Sequence, residues 1–435
     1  MNILIIGSGG REHAIARTIR KSKQATRLIV APGNPGIAQI GECVNININA
    51  FNDVLEVCRN YDIEFIIIGP ELPIAMGLSD ELRLWGYNVF APTMYAAQLE
   101  TSKIFAKQFM ERYNIPTAKY LAFDKTELNE AIKYVNEING PIVIKADGLA
   151  AGKGVLVTKD KNYAINTIKE LFNGKFGKAG YQIIIEEFLD GEELSVLAIC
   201  DGKQFVCLPP AQDFKRIGDN DIGKNTGGMG AYCPVSIATP ELLDKVKNKI
   251  IIPTIEGMQN DGHYYIGCLY VGLMIKNGEP KVVEYNCRFG DPETQVILSV
   301  FEGDLLELLY TAAHGEINKE VYDEDTTLKR SACCVILASE GYPDEFKKGY
   351  NIHGSIDINE NIIVYHSGTK KKNFELLTDG GRVLGITAVN DNIENAVNKV
   401  YKNIKKISFK NVYYRKDIGK KEIERLLKSS TIIKA

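Results

Sequence analysis

Glu284, Asn286 and Arg288 stand at alternate positions in the stretch Lys281-Val282-Val283-Glu284-Tyr285-Asn286-Cys287-Arg288-Phe289-Gly290-Asp291-Pro292-Glu293. A strand that starts at Val282-Val283 has a two-residue period, so it presents Glu284 and Asn286 on one face, and Arg288 extends from the same face as the strand ends. A carboxylate and an amide oxygen side by side suit a hard cation that leaves its other positions to water or phosphate. A guanidinium next to them would hold that phosphate. A metal and an arginine around one phosphate point to phosphoryl transfer. Taken alone, the triplet is equally compatible with a half-buried strand whose polar side chains are solvated.

Other stretches carry groups for the same chemistry. Lys145 ends the apolar run 141–145, where an uncompensated charge is expensive and calls for an anion. Directly after it, Gly148-Leu149-Ala150-Ala151-Gly152-Lys153-Gly154 is a glycine loop with a lysine. It is not a P-loop, because the glycine spacing is one residue short and Gly154 stands where Ser or Thr belongs. It reads as a flap over phosphates or as a mobile hairpin. The apolar run 182–185 leads into Glu186-Glu187-Phe188-Leu189-Asp190-Gly191-Glu192-Glu193. Backbone groups at such a turn can read a base edge, and Glu193 can accept from both hydroxyls of a ribose diol; an acidic hairpin tip is the plainer alternative. Lys103 sits inside a helical pattern over 95–113, where a lone lysine is usually solvated.

The elements that position these groups follow from the pattern. The apolar run 2–6 enters Gly7-Ser8-Gly9-Gly10 and then a helical pattern through Arg20, which aims backbone N–H groups at an anion. A dinucleotide site would need glycine where Glu12 stands and an acidic end to the second strand, where 28–31 runs into Pro32-Gly33-Asn34. With strands at 65–69 and 88–91 and a helix at 75–85, this is a parallel-sheet α/β domain of about a hundred residues. After about residue 323 the pattern changes to strands at 331–339, 362–366 and 382–389 and a helix at 393–404. That reads as a separate α+β domain with no catalytic constellation; His353 and His366 are isolated within it.

Composition narrows the class. A chain of 435 residues, 45% hydrophobic and 25% charged, suggests two to four globular domains. A net charge of −3 gives no basic surface for nucleic acid. Nine scattered cysteines with no C-x-x-C pair, and no apolar stretch near the ~20 residues of a membrane span, place the expected location in the reducing cytoplasm, away from membranes.

The order of helix lysine, strand-end lysine with glycine flap, acidic turn and Glu-x-Asn-x-Arg strand resembles the ATP-grasp fold. The segments Gly7-Ser8-Gly9-Gly10-Arg11-Glu12-His13-Ala14, Lys145 to Gly154, Pro209-Pro210-Ala211-Gln212-Asp213-Phe214-Lys215-Arg216, Thr226-Gly227-Gly228-Met229-Gly230 and Asn286 to Gln295 narrow it. Together they are similar to the phosphoribosylamine–glycine ligase family of purine biosynthesis. The resemblance implies an N-terminal parallel-sheet domain over 1–102, a two-lobed ATP-grasp domain over 103–325 with a lid lobe at about 120–190, and a small α+β domain over 326–435. It implies that Lys103, Lys145 and the Gly152-Lys153-Gly154 flap contact ATP phosphates, Glu186 and the backbone near Phe188 the adenine, and Glu193 the ribose. Glu284 and Asn286 would bind magnesium or manganese, as one or two ions, since the strand 267–275 offers no further carboxylate. Asp213, Lys215, Gly228 and Arg288 would border the acceptor substrates, and Gly9, Gly10 and Asn34 the sugar phosphate. Lys145, Arg288 and Asp213 are the catalytic candidates; glycine, phosphoribosylamine and ATP are the implied partners, and a monomer is expected. A different ATP-grasp ligase or carboxylase, or a non-catalytic ATP-binding regulator, are the rival readings.

Overall fold

Short apolar runs build the first sheet, in the order Glu42–Cys43, Arg27–Pro32, Asn2–Gly7, Phe65–Ile68, Asn88–Phe90, all parallel. Ile3 to Ile6 and Phe65 to Ile68 are buried without alternation, as expected when helices cover both faces. The computed structural model describes the chain apart from residues 149–153, 176, 323–328, 357 and 434–435. The strand order reverses between Asn2–Gly7 and Phe65–Ile68, so the loops that follow them open a crevice at the carboxyl end of the sheet. The single helix expected over 75–85 is instead two, Glu71–Ala75 and Leu78–Leu84, divided at Gly77, whose φ of 85° is left-handed.

The helix expected over 95–113 is also two pieces, Gln98–Thr101 and Lys103–Arg112. Ser102 leaves helical geometry and its hydroxyl accepts from Phe105 N at 3.1 Å, an N-cap that periodicity alone does not reveal. Lys103 therefore opens a helix. The lid lobe is a four-stranded antiparallel sheet in the order Tyr120–Asp124, Gln182–Glu187, Ile142–Ala146, Val155–Thr158, backed by the helices Leu128–Glu137 and Lys161–Phe172. It has its own hydrophobic cluster, including Phe123, Ile144, Ile168, Leu171 and Ile185.

A second antiparallel sheet runs Phe205–Cys207, Glu192–Asp201, Ile266–Lys276, Glu279–Asn286. A third runs Gln212–Asp213, Gly230–Cys233, Ser331–Ala338, Arg382–Asn390, Ile362–His366. The third sheet joins central and C-terminal segments through the pairing of Gly230–Cys233 with Ser331–Ala338. The C-terminal strands, expected to stand apart, thus continue a sheet that begins at Asp213. The helix Ile393–Ile404 covers it with Ala396, Val400 and Ile404 buried.

Candidate functional site

The metal-candidate strand keeps the expected face but not an uninterrupted ladder. Its register against Ile266–Lys276 pairs Gly272 with Glu284 and Leu273 with Val282, so Val283 is a bulge. Tyr285 and Cys287 are buried on one side, and Glu284, Asn286 and Arg288 remain partly accessible on the other. The bulge frees the Val283 carbonyl, which accepts from Lys145 Nζ at 3.1 Å. Asn286 Oδ1 accepts from Arg288 Nη2 at 3.1 Å. Burial penalises the Glu284 carboxylate, but Lys215, Lys145, Arg288 and Lys103 outweigh this and hold it below the usual carboxylate range. An ionised carboxylate and an amide oxygen on one face fit a hard divalent cation.

The lysines converge from the lid side. Lys145 and Lys107 pair with opposite oxygens of Glu186, at 3.1 and 3.3 Å. Burial lowers the Lys107 ammonium to about 8, with Glu186 opposing. Glu186, expected at the adenine, is thus buried between two ammonium groups, while Phe188 beyond it is 44% exposed. Lys103 Nζ donates to the Gly148 carbonyl at 3.0 Å. Asp147, just past Lys145, accepts from Ile104 N at 3.1 Å and from Ser102 Oγ at 3.2 Å, tying the lid strand to the cap of the lysine-bearing helix. Of the flap, Gly152 and Lys153 lie outside the described residues; Gly154 precedes the strand Val155–Thr158 and its carbonyl accepts from Ala146 N.

Lys215 is the hub of the acceptor side. Its ammonium lies 3.5 Å from Asp213, 3.4 Å from Glu193 and 3.7 Å from Glu284. Burial pushes the Asp213 carboxyl up to about 8; Lys215 pulls it down, and Glu293, Glu193 and Glu284 push it further up. Gly228 needs its φ of 108°, and a Cβ there would strike the Pro292 ring.

The N-terminal crevice differs from expectation. Gly10 opens the helix Gly10–Ile19, and the amide of Gly9 donates to Glu12 Oε2 at 2.6 Å. Arg11 N faces Asp291 Oδ2 at 3.4 Å. Two carboxylates therefore already occupy the helix start that was expected to be free for a phosphate. Asn34 is fully engaged: its Oδ1 accepts from Gly36 N and Ile37 N, and its Nδ2 donates to the carbonyls of Ser8 and His366. Its role here is to fasten the loop.

Four residues reach the site that the sequence reading did not single out. Glu71, which opens the helix Glu71–Ala75, lies 3.5 Å from Arg288 Nε, and Glu100 lies 3.3 Å from Arg288 Nη2. Asp291 pairs with Arg382 at 3.3 Å, and Arg382 also donates to the carbonyls of Gly227 and Asp291 at 2.6 Å. The turn Gly69-Pro70-Glu71 at a strand's carboxyl end was a usable signal. Arg382 had none, since it sits at the start of an otherwise ordinary apolar strand.

Three family models match in sequence order: the N domain, the ATP-grasp (A) domain and the C domain of phosphoribosylglycinamide synthetase, over residues 1–100, 101–294 and 332–421. The chain is 45% identical over 428 residues to a phosphoribosylamine–glycine ligase of Neisseria meningitidis serogroup A, covering 98% of this chain and 100% of that one. It is 44% identical over 425 residues to a bifunctional purine biosynthetic protein of Pichia angusta, covering 96% of this chain and spanning only 53% of that protein's length. The crystal structure of a phosphoribosylamine–glycine ligase from Thermotoga maritima superposes with a TM-score of 0.82 at 35% identity, covering 96% of this chain and 100% of that one.

Proposed function

The chain belongs to the phosphoribosylglycinamide synthetase family, and on that premise we propose how its site divides the work. It is a ligase of purine biosynthesis that uses ATP to join glycine to phosphoribosylamine. In our reading, a glycine carboxylate oxygen attacks the γ-phosphorus, the bond to the bridging oxygen breaks, and ADP leaves. The amine of phosphoribosylamine then attacks the carbonyl carbon of glycyl phosphate, phosphate departs, and one proton is given up. Lys103, from the helix Lys103–Arg112, and Lys145, from the lid sheet, hold the nucleotide's phosphates, with Gly152, Lys153 and Gly154 as further phosphate contacts. Glu186 and the backbone near Phe188 bound the adenine pocket, and Glu193 the ribose. Arg288 neutralises oxygens of the phosphoryl group in flight. Glu284 and Asn286 would hold a magnesium or manganese ion, whose charge would help to stabilise the phosphates. Asp213, made more basic by burial, takes the amine's proton, with Lys215 and Gly228 shaping its surroundings. The Gly9-Gly10 turn borders the sugar phosphate, with Asn34 holding that loop in place.

The observation that carries this reading is the position of Arg288. It stands two residues from Asn286, yet its guanidinium is faced by Glu71 from the crevice of the first sheet. The nucleotide centre and the N-terminal crevice therefore meet at one group, as a reaction between an activated acid and a separately bound amine requires. We take the working unit to be a monomer, since one chain supplies every side chain named. We place it in the cytoplasm, the reducing compartment that suits nine scattered cysteines with no C-x-x-C pair. ADP release should need glycine, ATP, a divalent metal and phosphoribosylamine together. Hydroxylamine should trap an activated glycine when phosphoribosylamine is omitted; trapping with bicarbonate in place of glycine would identify a carboxylase instead.

A further inference from the structure

Glu293 is a buried carboxylate that the mechanism above does not use. It opens the helix Glu293–Val300, its residue is 3% exposed, and its charge acts on Asp213. Among the described residues, its side chain receives only a 3.5 Å hydrogen bond from Ser195 Oγ, itself bonded to the Tyr270 hydroxyl at 2.9 Å. A carboxylate that deep calls for a cation. The cations around it are engaged elsewhere: Lys215 by Asp213, Glu193 and Glu284, Arg288 by Glu71 and Glu100, and Arg382 by Asp291. No described lysine or arginine forms an ion pair with Glu293.

Glycine brings the missing charge. Its carboxylate must face the γ-phosphate and Arg288, and its ammonium, one carbon away, must then meet an anion on the same side of the site. Asp213 is already held by Lys215. We propose that Glu293 receives the substrate's ammonium group, so that Arg288 and Glu293 together read a short zwitterion. This rests on the reading that glycine is the substrate. Asp213, Glu193 and Glu284 cluster on the same side with Lys215 as their shared cation, which makes the pocket favourable for an incoming ammonium and unfavourable for an acid that lacks one.

Steady-state ADP release by the full chain tests this, with glycine varied at saturating ATP and phosphoribosylamine. Glu293→Gln keeps the shape and removes the charge. It should raise the KM for glycine on the order of 100-fold, the usual consequence of losing one partner of a buried charge pair. The KM values for ATP and phosphoribosylamine should stay within about twofold. The wild-type preference for glycine over glycolate, which has a hydroxyl in place of the ammonium, should fall by a similar factor. If the glutamine variant does not fold, Glu293→Asp, which keeps the charge but draws it back, should show the same glycine-only effect at smaller size. An unchanged glycine KM overturns the proposal. So does a rise in the metal requirement alone, which would make Glu293 a metal ligand, or an equal loss for all three substrates with a lower unfolding midpoint, which would make it only a helix start. A wild-type protein that releases ADP with another acid and not with glycine refutes the functional reading itself, before any variant is made.

Discussion

The lid lobe and the C-terminal segment are both α+β, yet they are joined to the body by different means. The lid closes its own core around Phe123, Ile144 and Ile168 and touches the body through polar contacts: Lys145 to the Val283 carbonyl, Ser102 to Asp147, Lys103 to the Gly148 carbonyl. The C-terminal segment shares a sheet with Gly230–Cys233 and shares apolar clusters with the rest of the chain. A unit with its own core and polar fastenings can move as a body, whereas one that completes a neighbour's sheet cannot move without breaking ladder hydrogen bonds. The lid is therefore the part built to move as a body, and the C-terminal segment is part of the frame that aims Arg382 at Asp291.

The contrast breaks most readily at Arg382. Arg382→Ala strands Asp291, whose carboxyl is held below its usual range by Arg382 and Arg11 against the penalty of burial. We expect a loss of at most about 3 kcal/mol of stability, the low end for removing one partner of a buried pair, because Gln295 and Arg11 still face Asp291. Because the sheet is continuous, calorimetry should show the central and C-terminal parts melting in one transition at a lower temperature. A separate transition for the C-terminal segment would mean that it folds on its own and that the contrast is false.

On the lid side the corresponding change is Lys145→Met, and its effect should be kinetic. Glu186 keeps Lys107 as a partner, so the fold survives, but the ammonium that bridges the lid to the Val283 bulge is gone. A fall in kcat/KM of roughly 100- to 1,000-fold is expected, comparable to removing one preorganised stabiliser of transition-state charge. A change in stability without a change in rate would make Lys145 a strut. Ser102→Ala is gentler. Losing a cap costs about 1 kcal/mol, and since the same hydroxyl reaches Asp147, hydrogen exchange should quicken in the lid strands and stay unchanged in Ser331–Ala338.

What could be read from the sequence follows the same division. Glu284, Asn286 and Arg288 were legible because their common face depends on a two-residue period, a local property. The lid strand that delivers Lys145 was legible for the same reason. The Val283 bulge was not, because it exists only as a mismatch with Ile266–Lys276. Asn34 was named at the sugar phosphate only through the family resemblance; that its side chain also reaches His366, 332 residues away, could not be read locally. The glycine turn at Gly7 to Gly10 was legible as a strand-to-helix connection, but the bonds from Gly9 N to Glu12 and from Arg11 N to Asp291 could be shown only by the tertiary structure. Arg382 and Glu100 belong to the same class of long-range contact.

The smallest effect expected at neutral pH sharpens the contrast by acid titration. His13, on the first helix, and His366, on a C-terminal strand, meet at the seam of the N-terminal and C-terminal parts, each under 10% exposed. His366 N donates to His13 Nδ1 at 3.0 Å, so that nitrogen must be unprotonated, and Gly36 packs against both rings. Burial lowers His13 to about 3, helped by His366 and Arg17, and lowers His366 to about 4. Both folded values lie below the ordinary imidazole value of 6.5. As pH falls through about 6.5, the unfolded chain therefore gains protons that the native chain refuses, and stability declines until about pH 4, where His366 begins to titrate in the folded state. Each such histidine contributes a slope of about 1.4 kcal/mol per pH unit in that window. His13→Asn keeps an acceptor near Nδ1 and removes the titration. Urea unfolding at pH 7 should then barely distinguish it from wild type, whereas between pH 6 and 4.5 the variant should lose stability less steeply, by about one histidine's share. The lid lobe contains no histidine, so hydrogen exchange in its strands should show no difference between the two proteins across that range. Parallel slopes would mean that the seam opens and hydrates His13 before it titrates, and that the C-terminal part is fastened no more tightly than the lid.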